Sequence, residues 1–272
     1  SVLEGKVLID NLRPWVKAFG RQVTFRNLRD PKAGADMRID IALQGPKSRE
    51  ILLALGVDAP TRKRIMALKR TELCDAMVGG FDLVVSRTGY TGEKMAFELF
   101  VHPDQSIALW NALVKAGDPL GLKPCGLGAR DSLRTEAGLP LYGHEMGVDL
   151  GRGVQLAGFG SFVRMYVPWV IGRQADIERE KKRQGVVVRF RFNEKGVRMA
   201  HLHDPVLDIK GRTIGVVTSC AVDMDGILTG QALVETKYAV DGTPIFIFQS
   251  ASKASGKAPA DLQTGDRFIL PT

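Results

Sequence analysis

The sequence changes period near residue 185, and that change limits the folds open to the chain. In Val186-Val187-Val188-Arg189-Phe190-Arg191-Phe192 the even positions Val186, Val188, Phe190 and Phe192 are apolar, while Arg189 and Arg191 face the other way. Successive strand residues point to opposite faces of a sheet, so this run reads as a half-buried antiparallel strand. Residues 206–217 read as a hairpin turned by Ile209-Lys210-Gly211-Arg212, and residues 232–240 and 244–248 add strands. Residues 250–264 read as a polar loop. Several short strands separated by turn residues predict a small antiparallel β-barrel or sandwich over residues 185–272.

Before residue 150 strands and helices alternate. Ile39, Ile41 and Leu43 alternate with polar or small residues; Gly45-Pro46 then opens a helix carrying Ile51, Leu52 and Leu55. Residues 81–86 and 97–101 are strand candidates. Between them Gly89-Tyr90-Thr91-Gly92 forms a turn. A helix follows Pro103-Asp104, with Ile107, Trp110, Leu113 and Val114 on one face and Gly117 as its stop. Trp15, Val16 and Phe19 are also spaced like one apolar helix face. Residues 147–163 are glycine-rich and read as a junction, followed by a helix over 174–184. The expected class is therefore α+β: an α/β region over residues 1–150, a linker with a helix over 151–184, and the barrel over 185–272.

Composition narrows the functional classes. Apolar residues make up 44% of the 272 and charged residues 25%, as in an ordinary globular chain. The 38 Lys and Arg exceed the 30 Asp and Glu by 8, which favours anionic partners. The basic residues are scattered, and the densest cluster, Arg179-Glu180-Lys181-Lys182-Arg183, is broken by a glutamate and reads as a solvated helix face. No nucleic-acid motif accompanies it. Cys74, Cys125 and Cys220 are odd in number and far apart, so neither a zinc site nor a disulfide framework is expected. A reducing, cytoplasmic setting fits this usage. No apolar run approaches the ~18 residues of a membrane span, and Ser1-Val2-Leu3-Glu4-Gly5 has no signal-peptide pattern.

Three side chains stand out as ligand candidates. Glu98 lies in the apolar strand Phe97-Glu98-Leu99-Phe100-Val101. A carboxylate among apolar neighbours is costly unless it is paired or faces a ligand, and it can accept two parallel hydrogen bonds from an amino-pyrimidinone edge. Tyr90 sits between two glycines, where the backbone can approach a ligand and the tyrosine offers a ring to stack and a hydroxyl to donate. Arg130, in Leu127-Gly128-Ala129-Arg130-Asp131-Ser132-Leu133-Arg134, can clamp a carboxylate bidentately. It forms a like-charge i,i+4 pair with Arg134, which Asp131 or Glu136 can neutralise locally. His201 and His203 lack a further metal-ligand set. His144 is an acid–base candidate without a visible relay. No Ser/His/Asp spacing, Walker loop or GxGxxG is present.

At these residues the chain resembles a known family. Ser86-Arg87-Thr88-Gly89-Tyr90-Thr91-Gly92-Glu93, Phe97-Glu98-Leu99, the block from Gly121 through Arg134, and Glu136-Ala137-Gly138-Leu139-Pro140-Leu141-Tyr142-Gly143-His144-Glu145 closely resemble the aminomethyltransferases, the T-proteins of the glycine cleavage system. Ala42-Leu43-Gln44-Gly45-Pro46-Lys47-Ser48 is a further landmark, and Gly215-Val216-Val217-Thr218-Ser219 resembles the family's C-terminal barrel. The resemblance implies tetrahydrofolate as cofactor. It also implies transfer of a one-carbon unit from an aminomethylated lipoyl arm to that folate, giving methylenetetrahydrofolate and ammonia. Residue by residue, Glu98 matches the family's pterin-binding glutamate, Arg130 its ligand-contacting arginine, and Tyr90 the tyrosine of the Gly-Tyr-Thr-Gly loop. Folate and a lipoyl carrier protein are the implied partners.

Three departures qualify that match. The family's catalytic aspartate lies in an N-terminal part for which residues 1–40 hold no matching block, so no catalytic residue is assigned. A partner chain carrying that half, a fragment, or a non-catalytic folate-binding subunit are the alternatives this leaves. Lys94-Met95-Ala96 lengthens the spacing before Glu98 by one residue. Residues 153–173 depart from the family pattern and suggest another one-carbon donor.

Overall fold

The computed structural model describes residues 26–147, 150–168, 172–249, 263–264 and 266. The chain forms two compact units: residues 1–89 with 93–124, and residues 90–92 with 125–272. The expected helix face at Trp15, Val16 and Phe19 lies outside the described residues.

The first unit is built on a four-stranded antiparallel sheet. Its strands are β1 (Ile39–Gln44), β2 (Leu73–Val78), β3 (Phe81–Ser86) and β4 (Ala96–Val101), in the order β1-β4-β3-β2. One face carries Leu43, Val85, Phe97, Leu99 and Val101 into the core. Helices α1 (Ser48–Ala54), α2 (Ala59–Ala67) and α3 (Ser106–Gly117) contribute Ile51, Leu52, Ile65, Leu109 and Leu113 to it. Asp58 caps α2, its carboxylate accepting the Thr61 N–H at 2.7 Å, with Pro60 in the first turn. Helix α3 corrects the expected face. Leu109, Leu113 and Gly117 are its buried positions, whereas Ile107 is 76% and Trp110 43% exposed. Both candidate sets satisfy helical spacing, and contact with α1 and β1 selects the Leu109–Leu113 stripe. Neither α2 nor β2 was among the expected elements.

In the second unit α4 (Leu127–Glu136) packs on a five-stranded antiparallel sheet. Its strands are β5 (Gly185–Arg191), β6 (Pro205–Leu207), β7 (Thr213–Val222), β8 (Leu228–Glu235) and β9 (Phe246–Ile247), ordered β5-β8-β7-β6-β9. Helix α5 (Arg173–Lys181) precedes the sheet and carries no buried residue. The sheet is thus antiparallel as expected, and the described pairings form an open ladder. The two expected late strands are displaced. The first is Leu228–Glu235, closed by a turn at Thr236–Tyr238, and the second shrinks to Phe246–Ile247. Strand β5 keeps its arginines exposed and places Phe190 in the core beside half-buried Val188 and Phe192. Val187 is buried on the other face, where the turn Gln155–Phe159 covers β5.

Side-chain carboxylates organise both hairpin turns. Asp208 accepts the Lys210 N–H at 2.8 Å and the Arg212 N–H at 3.0 Å, with Gly211 at φ 73°. Asp223 accepts the Asp225 and Ile227 N–H groups, both at 2.9 Å. Such Asx turns supply in the loop the acceptors that the ladder no longer provides.

Strand β7 carries an irregularity between Val217 and Ser219, so that Val217 faces Ala232 and Ser219 faces Gln231 with Thr218 left over. A bulge re-aims the side chains on either side of it. Here Val217 and Ala232 enter the apolar core, while Ser219 and Gln231 are buried against the segment that follows α4.

Candidate functional site

In the first unit Glu98 occupies the centre of β4, level with Ala42 on β1 and Ser86 on β3. Phe97 and Leu99 point to the core, so strand alternation turns Glu98 and Phe100 to the opposite face, where both are half-buried. Thr88 donates its hydroxyl hydrogen bond to Glu98 Oε2. The Ser86 hydroxyl lies 3.1 Å from that of Thr88, extending a short polar chain along the sheet face. Glu98 makes no ion pair among the described residues, and its Oε1 has no hydrogen-bond partner there. Thr88 orients the carboxylate through Oε2 and leaves Oε1 open to accept among the described residues.

Gly89 lets the loop lie directly on this sheet. A Cβ there would stand 2.6 Å from Ala96 Cβ and 2.8 Å from Gln44 Oε1. Any side chain would lift the Thr88-Gly89 backbone off the strands and carry the Thr88 hydroxyl away from Glu98.

In the second unit Tyr90 is half-buried, and its hydroxyl donates to the Pro140 carbonyl. The phenol proton is therefore already engaged, which corrects the expectation of a hydroxyl free to donate. Burial pushes the Tyr90 phenol upward and the Glu145 charge adds to this, while the nearby Arg134 and Arg130 charges pull it back. Gly92, at φ 82°, seats the same turn against α4, since a Cβ there would lie 2.4 Å from Ala137 Cβ.

Arg130 and Arg134 lie one turn apart on α4 in opposite settings. Arg130 is exposed and makes no side-chain hydrogen bond or ion pair among the described residues. Arg134 is 1% exposed. Its Nε donates to Asp131 Oδ1 at 2.7 Å, its Nη1 to Glu145 Oε2 at 2.9 Å and to the Leu139 carbonyl at 3.2 Å, and its Nη2 to Ser219 Oγ at 2.7 Å. Glu145 is fully buried. It accepts from the Ser219 hydroxyl at 2.6 Å and from the Leu141 N–H at 2.7 Å. Burial acts to raise its pKa, but the Ser219 and Leu141 hydrogen bonds and the Arg134 charge outweigh it and hold the carboxyl below its usual range.

This buried cluster was not expected from the sequence. Neutralisation of Arg134 was assigned to Asp131 or Glu136, and Asp131 does contribute. The second carboxylate is Glu145, eleven residues away in a loop, and the Glu136 carboxylate instead accepts the Met224 N–H at 3.1 Å. The available signal was an acidic residue set between apolar Leu141 and Met146. His144 donates no relay: its Nδ1 is buried without a hydrogen-bond partner among the described residues. No group of three or more metal-ligating side chains occurs among the described residues. Nor is any helix there long and apolar enough to cross a membrane.

A half-buried carboxylate on one face of an antiparallel sheet in the first unit, and an α4 arginine locked to an acidic loop in the second, are set in a mixed helix-and-sheet chain with two antiparallel sheets. The sequence pattern of the GCVT N-terminal domain matches residues 12–165, and the chain belongs to this family, that of the glycine cleavage T-proteins. It is 38% identical over 216 residues to the aminomethyltransferase of Alkaliphilus oremlandii, covering 78% of this chain and 56% of that protein. It is 40% identical over 215 residues to the aminomethyltransferase of Streptomyces avermitilis, covering 75% and 53%. Among solved structures it matches the glycine cleavage system aminomethyltransferase T from Bartonella henselae with a TM-score of 0.64 and 27% identity, over 78% of this chain and 55% of that one. The chain thus spans about half the length of the curated relatives it matches.

Proposed function

We propose that this chain binds tetrahydrofolate and serves transfer of an aminomethyl or methyl unit to it, the aminomethyl reaction being that of the glycine cleavage T-proteins. The observation that carries the reading is Glu98. Its carboxylate is held by Thr88 on a sheet face, with Oε1 left to accept an N–H from the amino-pyrimidinone edge of a pterin. In this reading the bound folate supplies the nitrogen nucleophile that takes up the one-carbon unit. The protein's own residues bind and orient it: Glu98 fixes the pterin, the Tyr90 ring offers a stacking surface, and Arg130 takes a carboxylate. The family further suggests the lipoyl arm of a carrier protein as donor, a cytoplasmic setting, and a small barrel as the form of the second unit's sheet.

Calorimetric titration of tetrahydrofolate into the 272-residue chain and its Glu98→Ala variant tests the reading. Hydrogen bonds to a charged group contribute about 1.5–3 kcal/mol each, so the variant should bind about 10- to 100-fold more weakly. Equal affinities would overturn the Glu98 assignment, and absence of binding by the unaltered chain would overturn folate binding itself.

A further inference from the structure

Three consecutive backbone groups after α4 are gripped by three different side-chain systems. The Leu139 carbonyl accepts from Arg134 Nη1 at 3.2 Å and from Gln231 Nε2 at 3.1 Å. The Pro140 carbonyl accepts from the Tyr90 hydroxyl. The Leu141 N–H donates to Glu145 Oε2 at 2.7 Å. Glu145 also holds Arg134 at 2.9 Å and receives the Ser219 hydroxyl at 2.6 Å, so one buried carboxylate fastens both flanks of Pro140. Gly138, at φ 71°, reverses the chain into this segment, where a Cβ would stand 2.8 Å from the Arg189 side chain.

We infer that Glu145 is a positioning residue for Tyr90, acting through the 139–141 backbone. The inference rests on the reading of Tyr90 as a folate contact, but its geometry is independent of any ligand. The Tyr90 phenol hangs on one carbonyl, and the orientation of that carbonyl is fixed by the residues before and after it. Pro140 has no N–H of its own with which to steady the peptide, so both anchors come from its neighbours. Arg134 and Ser219 hold the Glu145 carboxylate from α4 and β7, and Gln231 of β8 adds a second donor to Leu139. Gly92 on Ala137 pins the other end of the Tyr90 turn. Loosening Glu145 therefore frees the Tyr90 ring without touching the ring itself. The charged groups around this carboxylate are Arg134 in contact and Arg152, whose guanidinium donates to the His144 carbonyl and whose charge reaches Glu145.

The test uses the full chain carrying 3-fluorotyrosine at its four tyrosines. The ¹⁹F resonance lost in Tyr90→Phe identifies Tyr90. Glu145→Gln should shift or broaden that resonance with no ligand present. Ser219→Ala, which leaves the Arg134–Glu145 pair in place and guards against a variant that fails to fold, should do so to a smaller degree. An unmoved Tyr90 resonance in a folded Glu145→Gln or Ser219→Ala protein would overturn the inference. Tetrahydrofolate titrations of Glu145→Gln, Tyr90→Phe and the double variant supply the second arm. Glu145→Gln should weaken binding several-fold, and by much less again once Tyr90 is already Phe. Equal losses in both backgrounds would mean that Glu145 only supports the fold, and would overturn the positioning role. If the chain binds no folate, the proposed function fails while the ¹⁹F arm still decides the inference.

Discussion

Replacing Arg134 by Met removes the only cation in direct contact with Glu145 among the described residues and keeps most of the apolar stem. Arg134 is 1% exposed and Glu145 0%. The losses are unequal. The Asp131 side chain is 44% exposed, so water replaces the guanidinium there at little cost. Glu145 keeps the Ser219 hydroxyl and the Leu141 N–H but loses its charged partner. Breaking a buried pair by removing one partner costs about 3–5 kcal/mol. The two surviving hydrogen bonds and the charge of Arg152 place Arg134→Met at the low end of that range. The pH dependence has a definite sign. In the unaltered chain the Glu145 pKa is lowered from 4.5, so its contribution is complete above that value and is lost as pH falls through the folded-state pKa. In Arg134→Met burial is opposed by fewer groups, the folded-state pKa rises, and protonation relieves the buried charge. The deficit should therefore be largest at pH 7 and smaller at pH 4, below the ordinary carboxyl value of 4.5. Urea unfolding read by pulse-labelling hydrogen exchange on peptides from β7 and β8 reports the second unit separately. A loss below about 1 kcal/mol, or one identical at the two pH values, would refute the reasoning.

Two further outcomes follow from the same geometry. Gly230→Ala would place a Cβ 2.3 Å from the Ser219 carbonyl oxygen and 2.4 Å from Phe190 Cζ; the same exchange assay should show the overpacking loss of about 1–3 kcal/mol, and an unchanged midpoint would contradict it. Arg130→Ala should leave stability within about 0.5 kcal/mol, as for an exposed unpaired side chain, while calorimetry shows several-fold weaker tetrahydrofolate binding, more so at low salt; a large stability loss or unchanged affinity would contradict the assignment.

Much of the fold was legible wherever one face of an element is buried and the other is not. Strands β1, β3 and β4 and helix α1 follow directly from alternation or helical spacing ended by glycine or proline. The misses have physical causes. Helix α2 carries Arg62, Lys63 and Arg64, and strand β2 exposes Leu73 and Met77, so neither presents a clean apolar period. On α3 the apolar residues exceed what one face holds, and only packing against α1 and β1 decides that Ile107 and Trp110 stay outside. The late strands were displaced because the turn Asp223–Ile227 is closed by a side-chain carboxylate, which strand spacing does not report.

The candidate site divides along the same line. Glu98 was legible because a carboxylate violates an otherwise apolar strand. The partnership of Arg134, Glu145 and Ser219 was not, because it joins a helix, a loop and a bulged strand separated by eleven and eighty-five residues, and the bulge at Thr218 has no period to announce it. That partnership also settles the i,i+4 arginine pair. Like charges one helical turn apart repel, and the obvious local remedy is a carboxylate shared between them. The structure instead gives Asp131 and Glu145 to Arg134 and commits Glu136 to the Met224 N–H. Arg134 becomes a buried brace held between two carboxylates. Among the described residues Arg130 keeps an exposed side chain without an ion pair near the start of the same helix, and a guanidinium in that setting is able to take a carboxylate bidentately.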